Sequence, residues 1–398
     1  MALIVQKYGG SSVKDAESIK RVAEMVVAEH RKGNQVVVVV SAMGDTTDHL
    51  EALARQVSTN PPEREMDMLL SVGERISIAL LAMAIHELGA EAISFTGSQV
   101  GIITDNRHTE ARILEVKGLR IREALDSGKI VIIAGFQGVS IHKEITTLGR
   151  GGSDTTAIAL AAALQADRCE IMKDVDGIYV AEPRLVPDAS LNQEISYDEM
   201  IEMAGAGAGV LKTEAVETAR RYKVRLAVGS SFSGNIGTII TDSPHEISAI
   251  SGIVGKKGMF YTRIEADDFH VKNRLNQALA SRRLKVYSYL MQPHSLELVF
   301  AQTNRAAFKE ILSELRVSHT NFRITEEKPV GVVAVVGTGL NFNSPAAGKI
   351  FNALDVLHIA PEMLQVTELR ISWVLPESRV DRTIRQLHSL LINRQSSS

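Results

Sequence analysis

Along the first 240 residues the hydrophobic pattern switches between two periods. Residues 2–8, ALIVQKY, form a short apolar run, and so does QVVVVVSAM at 35–43. The β-branched stretch in the second predicts a strand buried on both faces, as in a parallel sheet. Between them, DAESIKRVAEMVVAEHRKG at 15–33 places apolar residues at helical spacing and stops on a glycine. Helical patterns recur around 46–57, from 63 to 88 and at 153–166, with further strands at 91–97, 129–138 and 168–177. Strands alternating with helices predict an α/β fold, a three-layer sandwich around a mainly parallel sheet.

The pattern changes near 242–248, DSPHEIS. Beyond it, residues 249–327 and 328–398 each resemble a βαββαβ, ferredoxin-like sequence, a weak internal repeat of about 70–80 residues. The expected organisation is therefore one large α/β domain over 1–242 and two small α+β modules over 249–327 and 328–398.

Composition narrows the classes. Apolar residues make up 45% and charged residues 23% of the 398 positions, as in a globular protein. A formal net charge of −3 gives no support for a nucleic-acid or anionic-membrane surface. The single cysteine, Cys169, allows no intrachain disulfide and fits a reducing cytoplasm, where it reads as an inert core thiol. The N-terminus lacks a basic region followed by an apolar stretch, so no signal peptide is expected. The most apolar run, ISIALLAMAI at 76–85, is about half a membrane span. The last residues, NRQSSS, read as a frayed tail.

Candidate chemistry lies where strands pass into helices. KYGGSSV at 7–13 could be an ordinary turn. Its glycines would also let the backbone approach a phosphate, with the helix N-terminus and the Lys7 ammonium favouring the anion. It is not a Walker A loop, because the Gly-Lys-Ser/Thr order is absent. VSAMGDTTDHL at 40–50 offers Ser41, Asp45, Thr46 and Thr47, of which helix capping explains one. SVGERIS at 71–77 sets Glu74 and Arg75 beside an apolar helix, either a solvated pair or a ligand contact. In LGRGGSDTT at 148–156, Ser153 or Asp154 could cap the following helix, which leaves Arg150 and the Gly151-Gly152 pair unexplained. A guanidinium there suits a carboxylate. KDVDGIYVAEPR at 173–184 is not a calcium loop: it lacks the third spaced ligand and the terminal glutamate. These loops sit mostly at C-terminal strand ends, where open α/β sheets bind ligands.

In this order the five stretches resemble aspartate kinases of the amino-acid kinase family, with K-[FY]-G-G-[ST]-S, V-S-A-M-G-x-T-T-D, S-x-G-E, T-L-G-R-G-G-S-D-T-T and D-V-x-G-[IV]-[YF]. The resemblance is close over about 1–240 and looser beyond. It implies a catalytic lobe followed by two ACT modules, and phosphoryl transfer from ATP, with Mg²⁺, to L-aspartate, giving 4-phospho-L-aspartate for lysine, threonine and methionine synthesis. By the resemblance Lys7, Arg150 and Asp154 are catalytic. Lys7, Tyr8, Gly9, Gly10, Ser11 and Ser41 meet the phosphates, and Lys173, Asp174, Tyr179 and Arg184 the nucleotide. Thr47, Glu74, Arg150, Gly151, Gly152 and Ser153 hold aspartate. It also implies a cytoplasmic homo-oligomer assembled through the ACT modules, with no nucleic-acid or membrane partner.

The sequence departs from the family pattern at Lys173 (usually Ser or Thr), Val180, Glu182 and VLKTEAVETA at 210–219. The ACT modules depart further. IEADDFHVKNRL has no Pro-Gly, and Asn343-Ser344-Pro345-Ala346-Ala347 stands for H-P-G-V-A. Altered or weak feedback inhibition is the expectation. Two other readings are a kinase of the same fold serving a specialised pathway and a non-catalytic amino-acid-sensing subunit.

Overall fold

The computed structural model describes every residue except 150, 243, 245–248, 319–321, 342 and 393–398, and leaves aside the side chains of 317 and 318. Arg150, most of the 242–248 boundary and the NRQSSS tail therefore lie outside the described residues. The chain packs as two compact units. The first holds Met1–Tyr179, Ser190–Gly205 and Gly209–Ile247; the second holds Val180–Ala189, Ala206–Ala208 and Ser248–Ser398.

The first unit is built on an eight-stranded sheet. Its order is Glu194–Ser196, Ile236–Thr241, Leu226–Ser230, Arg168–Lys173, Leu3–Tyr8, Gln35–Val40, Ile130–Ala134 and Ala92–Phe95. All neighbours run parallel except Leu226–Ser230 against Ile236–Thr241. The valine run explains its central place. Val36, Val38 and Val40 share one core with Val22 and Val26 of helix Ala16–Arg31 and with Ile78, Leu81 and Ile85 of helix Val72–Glu87. The intervening Val37 and Val39, equally buried, face the other layer. There helix Gly152–Leu164 packs on the central strands and on helix Thr213–Tyr222. Helix Ala16–Arg31 starts where the Asp15 side chain accepts the Ser18 N–H at 2.8 Å, a cap worth about 1 kcal/mol.

Two expected elements are divided. The helix over 63–88 breaks at Ser71 into Glu63–Leu70 and Val72–Glu87. Taken across that break, Glu63–Glu87 is long and apolar enough to cross a membrane by length and composition, more than the 76–85 run suggests. Its inner face lies in the main core instead. The strand over 129–138 is two strands, because Phe136 adopts a left-handed backbone at φ 66°. Ile130–Ala134 stays in the main sheet, while Gln137–Ser140 enters a second, four-stranded sheet. That sheet runs Ile113–Val116, Ile102–Thr104, Gln137–Ser140, Ile145–Thr147.

The second unit carries one antiparallel sheet of six strands. Its order is Val286–Met291, Ser295–Ala301, Gly252–Glu265, Arg323–Val336, Arg370–Leu375, Met363–Val366. The two central strands are 14 residues long, with a register shift between Lys256 and Met259. On one side of the shift, 259–265 pairs with Ser295–Ala301 and packs under helices Phe269–Ser281 and Arg305–Ser318, around Phe260, Phe300 and Phe308. On the other, 252–256 pairs with 332–336, which lies beside Arg370–Leu375 and is covered by helix Val380–Leu391, next to helix Pro345–Val356. Each half is thus a ferredoxin-like set of four strands and two helices. The outer strand of the second half, 252–256, precedes the whole first half in sequence.

Candidate active site

The C-terminal strand ends of the first unit open into a cleft of about 830 Å³, a size suited to a nucleotide-scale ligand. Lys7 is the next-to-last residue of Leu3–Tyr8 and 5% exposed, and its Nζ lies 2.7 Å from Asp154 Oδ1. Lys173 ends the adjacent strand and donates to Asp154 Oδ2 at 3.0 Å. Neither Ser153 nor Asp154 caps its helix, which starts at Gly152 after Gly151 with no side-chain cap. Both side chains line the cleft instead. Ser41, just beyond Gln35–Val40, donates its hydroxyl to Ser153 Oγ at 3.0 Å.

Burial sets the charge states. It opposes ionisation of Asp154, but the Lys7 and Lys173 charges outweigh it and hold the carboxyl at about 2. Burial also lowers the Lys7 ammonium, Asp154 pulls it back up, and Lys173 presses it down again. Glu74, which lines the same cleft, is 2% exposed. Its Oε1 accepts the Ala42 N–H at 3.1 Å, while Oε2 is buried without a hydrogen-bond partner. Burial pushes this carboxyl up to about 7, against the pull of its hydrogen bonds and Lys7. A buried carboxylate oxygen without a partner is costly unless a hydrogen-bond donor or a cation reaches it.

Two glycines are required by close approach. A Cβ on Gly10 would stand 2.9 Å from the Ala42 carbonyl oxygen and 3.1 Å from that of Gly44, so the 9–13 turn could not lie against the 41–44 loop. Gly151 has φ +82°, and a Cβ there would meet Lys212 Cγ at 2.5 Å. The Lys212 stem lies across Gly151 and joins the lining.

The cleft brings together Lys7, Gly10, Ser41, Thr47, Glu74, Gly151, Gly152, Ser153, Asp154 and Lys173. Gly9, Ser11, Asp174 and Tyr179 are not among its lining residues. Tyr179 donates its hydroxyl to Asp176 Oδ2 at 3.2 Å, and Asp174 is exposed. Tyr8 is grouped with the phosphate turn by sequence. Its ring is fully buried in the core, because strand alternation turns it away from Lys7. Arg184 packs with the second unit, exposed beside Glu182. Missed by sequence was the support of one wall. Buried Asp67 accepts from Thr147 Oγ1 at 2.5 Å and Thr109 N at 3.0 Å, and its Oδ2 lies 2.6 Å from His108 Nδ1. Thr147 and Thr109 both line the cleft. No local pattern announces a contact spanning 80 residues.

Fold and cleft define a class. The sequence pattern described as the amino acid kinase family matches residues 2–230, and that of an ACT domain matches 333–391. The chain belongs to the amino acid kinase family. Among its relatives are aspartokinases. Over 98% of its length it is 45% identical to the aspartokinase of Corynebacterium glutamicum and 46% to that of Mycolicibacterium smegmatis, covering 96% of each. It is 42% identical to that of Geobacillus stearothermophilus, covering 97%. The aspartate kinase of Synechocystis is 38% identical with a TM-score of 0.56, over 98% of this chain and 69% of that one. Aspartokinase III of E. coli, in complex with aspartate and ADP, shares the fold at a TM-score of 0.84 and 24% identity, over 98% and 99% of the two chains.

Proposed function

We infer that this chain is an aspartate kinase, transferring the γ-phosphoryl group of ATP to the side-chain carboxylate of L-aspartate. The observation that carries the reading is the content of the cleft. A buried carboxylate with an unpaired oxygen, Glu74, lines the same cavity as the Lys7–Asp154–Lys173 cluster. Its support is full-length similarity to proteins named aspartokinase.

The chemistry asks little of proton transfer. An aspartate side chain has a reference pKa of about 3.9 and is already a nucleophile at neutral pH. One of its oxygens forms a bond to the γ-phosphorus as the bond to the β–γ bridging oxygen breaks, and the electron pair leaves on ADP. The protein must bring two anions together and stabilise the charge that spreads over the phosphoryl oxygens. Lys7 stands where its ammonium does so, and Gly10 lets main-chain N–H groups approach. Ser41 and Ser153 offer hydroxyls between the two halves. Glu74 takes the ammonium of aspartate, and Arg150, outside the described residues, its α-carboxylate. Among the described residues no group of three or more His, Cys, Asp or Glu could hold a metal. Asp154 is already engaged by two lysines. Mg²⁺ would enter as part of the co-substrate, on the phosphates of ATP.

The ACT-like halves of the second unit are read as the regulatory part and as the contact through which copies assemble into a homo-oligomer in the cytoplasm. A non-catalytic sensor would have no use for a buried Lys7–Asp154 pair in an open cleft. Coupled ADP release measured across a panel of acidic amino acids tests the assignment. Aspartate should support turnover and glutamate should not. ADP release that does not depend on aspartate would overturn it.

A further inference from the structure

Asp154 holds two ammonium groups, one on each oxygen, and it is 5% exposed while Lys173 is 19% exposed. Taken alone, the Lys7–Asp154 pair is electrically neutral, and a neutral pair attracts a triphosphate weakly. Lys173 leaves the trio with one net positive charge. Its ammonium has three donors, of which the contact with Asp154 uses one. Lys173 also ends its strand in register beside Leu3–Tyr8, with Met172 opposite Tyr8, so both lysines emerge at the same C-terminal strand ends into the cleft. Asp154 fixes both at short range, so neither ammonium has to be reorganised as charge develops.

We propose that Lys173 is a second catalytic cation of the phosphate side, contacting the nucleotide's phosphate oxygens together with Lys7 while Asp154 holds the two ammonium groups in place. The proposal rests on the kinase reading above. The transfer it assists is the one already written: the carboxylate oxygen bonds to the γ-phosphorus, the bridging bond breaks, and ADP carries the pair away. Lys173 gives and takes no proton; it neutralises charge.

The test compares Lys173→Met and Lys173→Arg in the full chain, by calorimetric binding of ADP and of adenosine and by steady-state kinetics. Lys173→Met should bind ADP about tenfold more weakly and adenosine as the wild type does. Its kcat should fall by about 10²-fold, the scale of losing one charge-stabilising group, with the aspartate KM within about twofold. Lys173→Arg should recover the preference for ADP over adenosine. Lys173→Gln, which keeps a hydrogen bond to Asp154 without the charge, carries the same expectation as Met and covers the case in which Met at this position does not fold. Equal weakening of ADP and adenosine, or wild-type ADP binding in the neutral variants, overturns the proposal. If the wild type fails to turn over aspartate, the kinase reading falls, while the ADP-against-adenosine comparison still decides Lys173.

Discussion

The residue that decides substrate binding in this account is Glu74. Its ionised form is needed to hold an ammonium, and burial places its pKa at about 7. A carboxyl raised in this way is protonated below pH 7, so aspartate binding should weaken as the solution is acidified. Between pH 8 and pH 6 the aspartate KM should rise about tenfold, while aspartate itself, with its ordinary side-chain pKa, does not titrate. Glu74→Gln should have a high KM with no such slope. A wild-type KM flat over that range would remove Glu74 from the ammonium site. At this scale the sequence is a good guide to residue type and a poor one to pairing. Lys7 and Asp154 sit in motifs, but their contact joins residues far apart in the chain. Lys173, a departure from the family pattern, reaches the same aspartate only because the 168–173 strand lies beside Leu3–Tyr8. Tyr8 shares a motif with Lys7 yet turns its ring to the opposite face of the strand, into the core.

Elements were legible where one period ran unbroken. Ala16–Arg31, Gln35–Val40, Thr46–Val57 and Gly152–Leu164 lie close to the limits their patterns give. The breaks at Ser71 and Phe136 were not legible, because apolar residues continue through both, and neither site carries proline. Two of the second-unit helices start at a residue whose side chain caps them, and this bears on feedback control. Asp268 caps helix Phe269–Ser281 by accepting the His270 N–H at 2.8 Å. Buried Lys272 donates to the carbonyls of Gln292 and Pro293, both at 2.6 Å. Those two carbonyls accept from the chain's own lysine. In the other half Ser344 caps helix Pro345–Val356 through the Ala347 N–H at 3.0 Å, and Ala346 adds a methyl group at the same turn. Lysine and threonine, alone or together, are expected to inhibit weakly. A titration giving half-inhibition below millimolar concentration would show that a regulatory site survives.

At the scale of the whole molecule, alternation gave the parallel sheet and the doubled α+β pattern gave the two halves of the second unit. The pairing of 252–256 with 332–336 was hidden, since it closes over the entire first half, and local periodicity carries no record of a partner some eighty residues away. What unifies the chain in this account is the reaction it performs, and that reaction leaves a chemical signature. An acyl phosphate is attacked by hydroxylamine, whereas a phosphate ester or phosphoramidate is not expected to give a hydroxamate. The full chain incubated with ATP, Mg²⁺, L-aspartate and hydroxylamine should form aspartyl hydroxamate in proportion to the ADP released, and lose that product when aspartate is omitted. ADP release with aspartate but no hydroxamate, from protein shown to be folded, would contradict the assignment of the side-chain carboxylate as the acceptor.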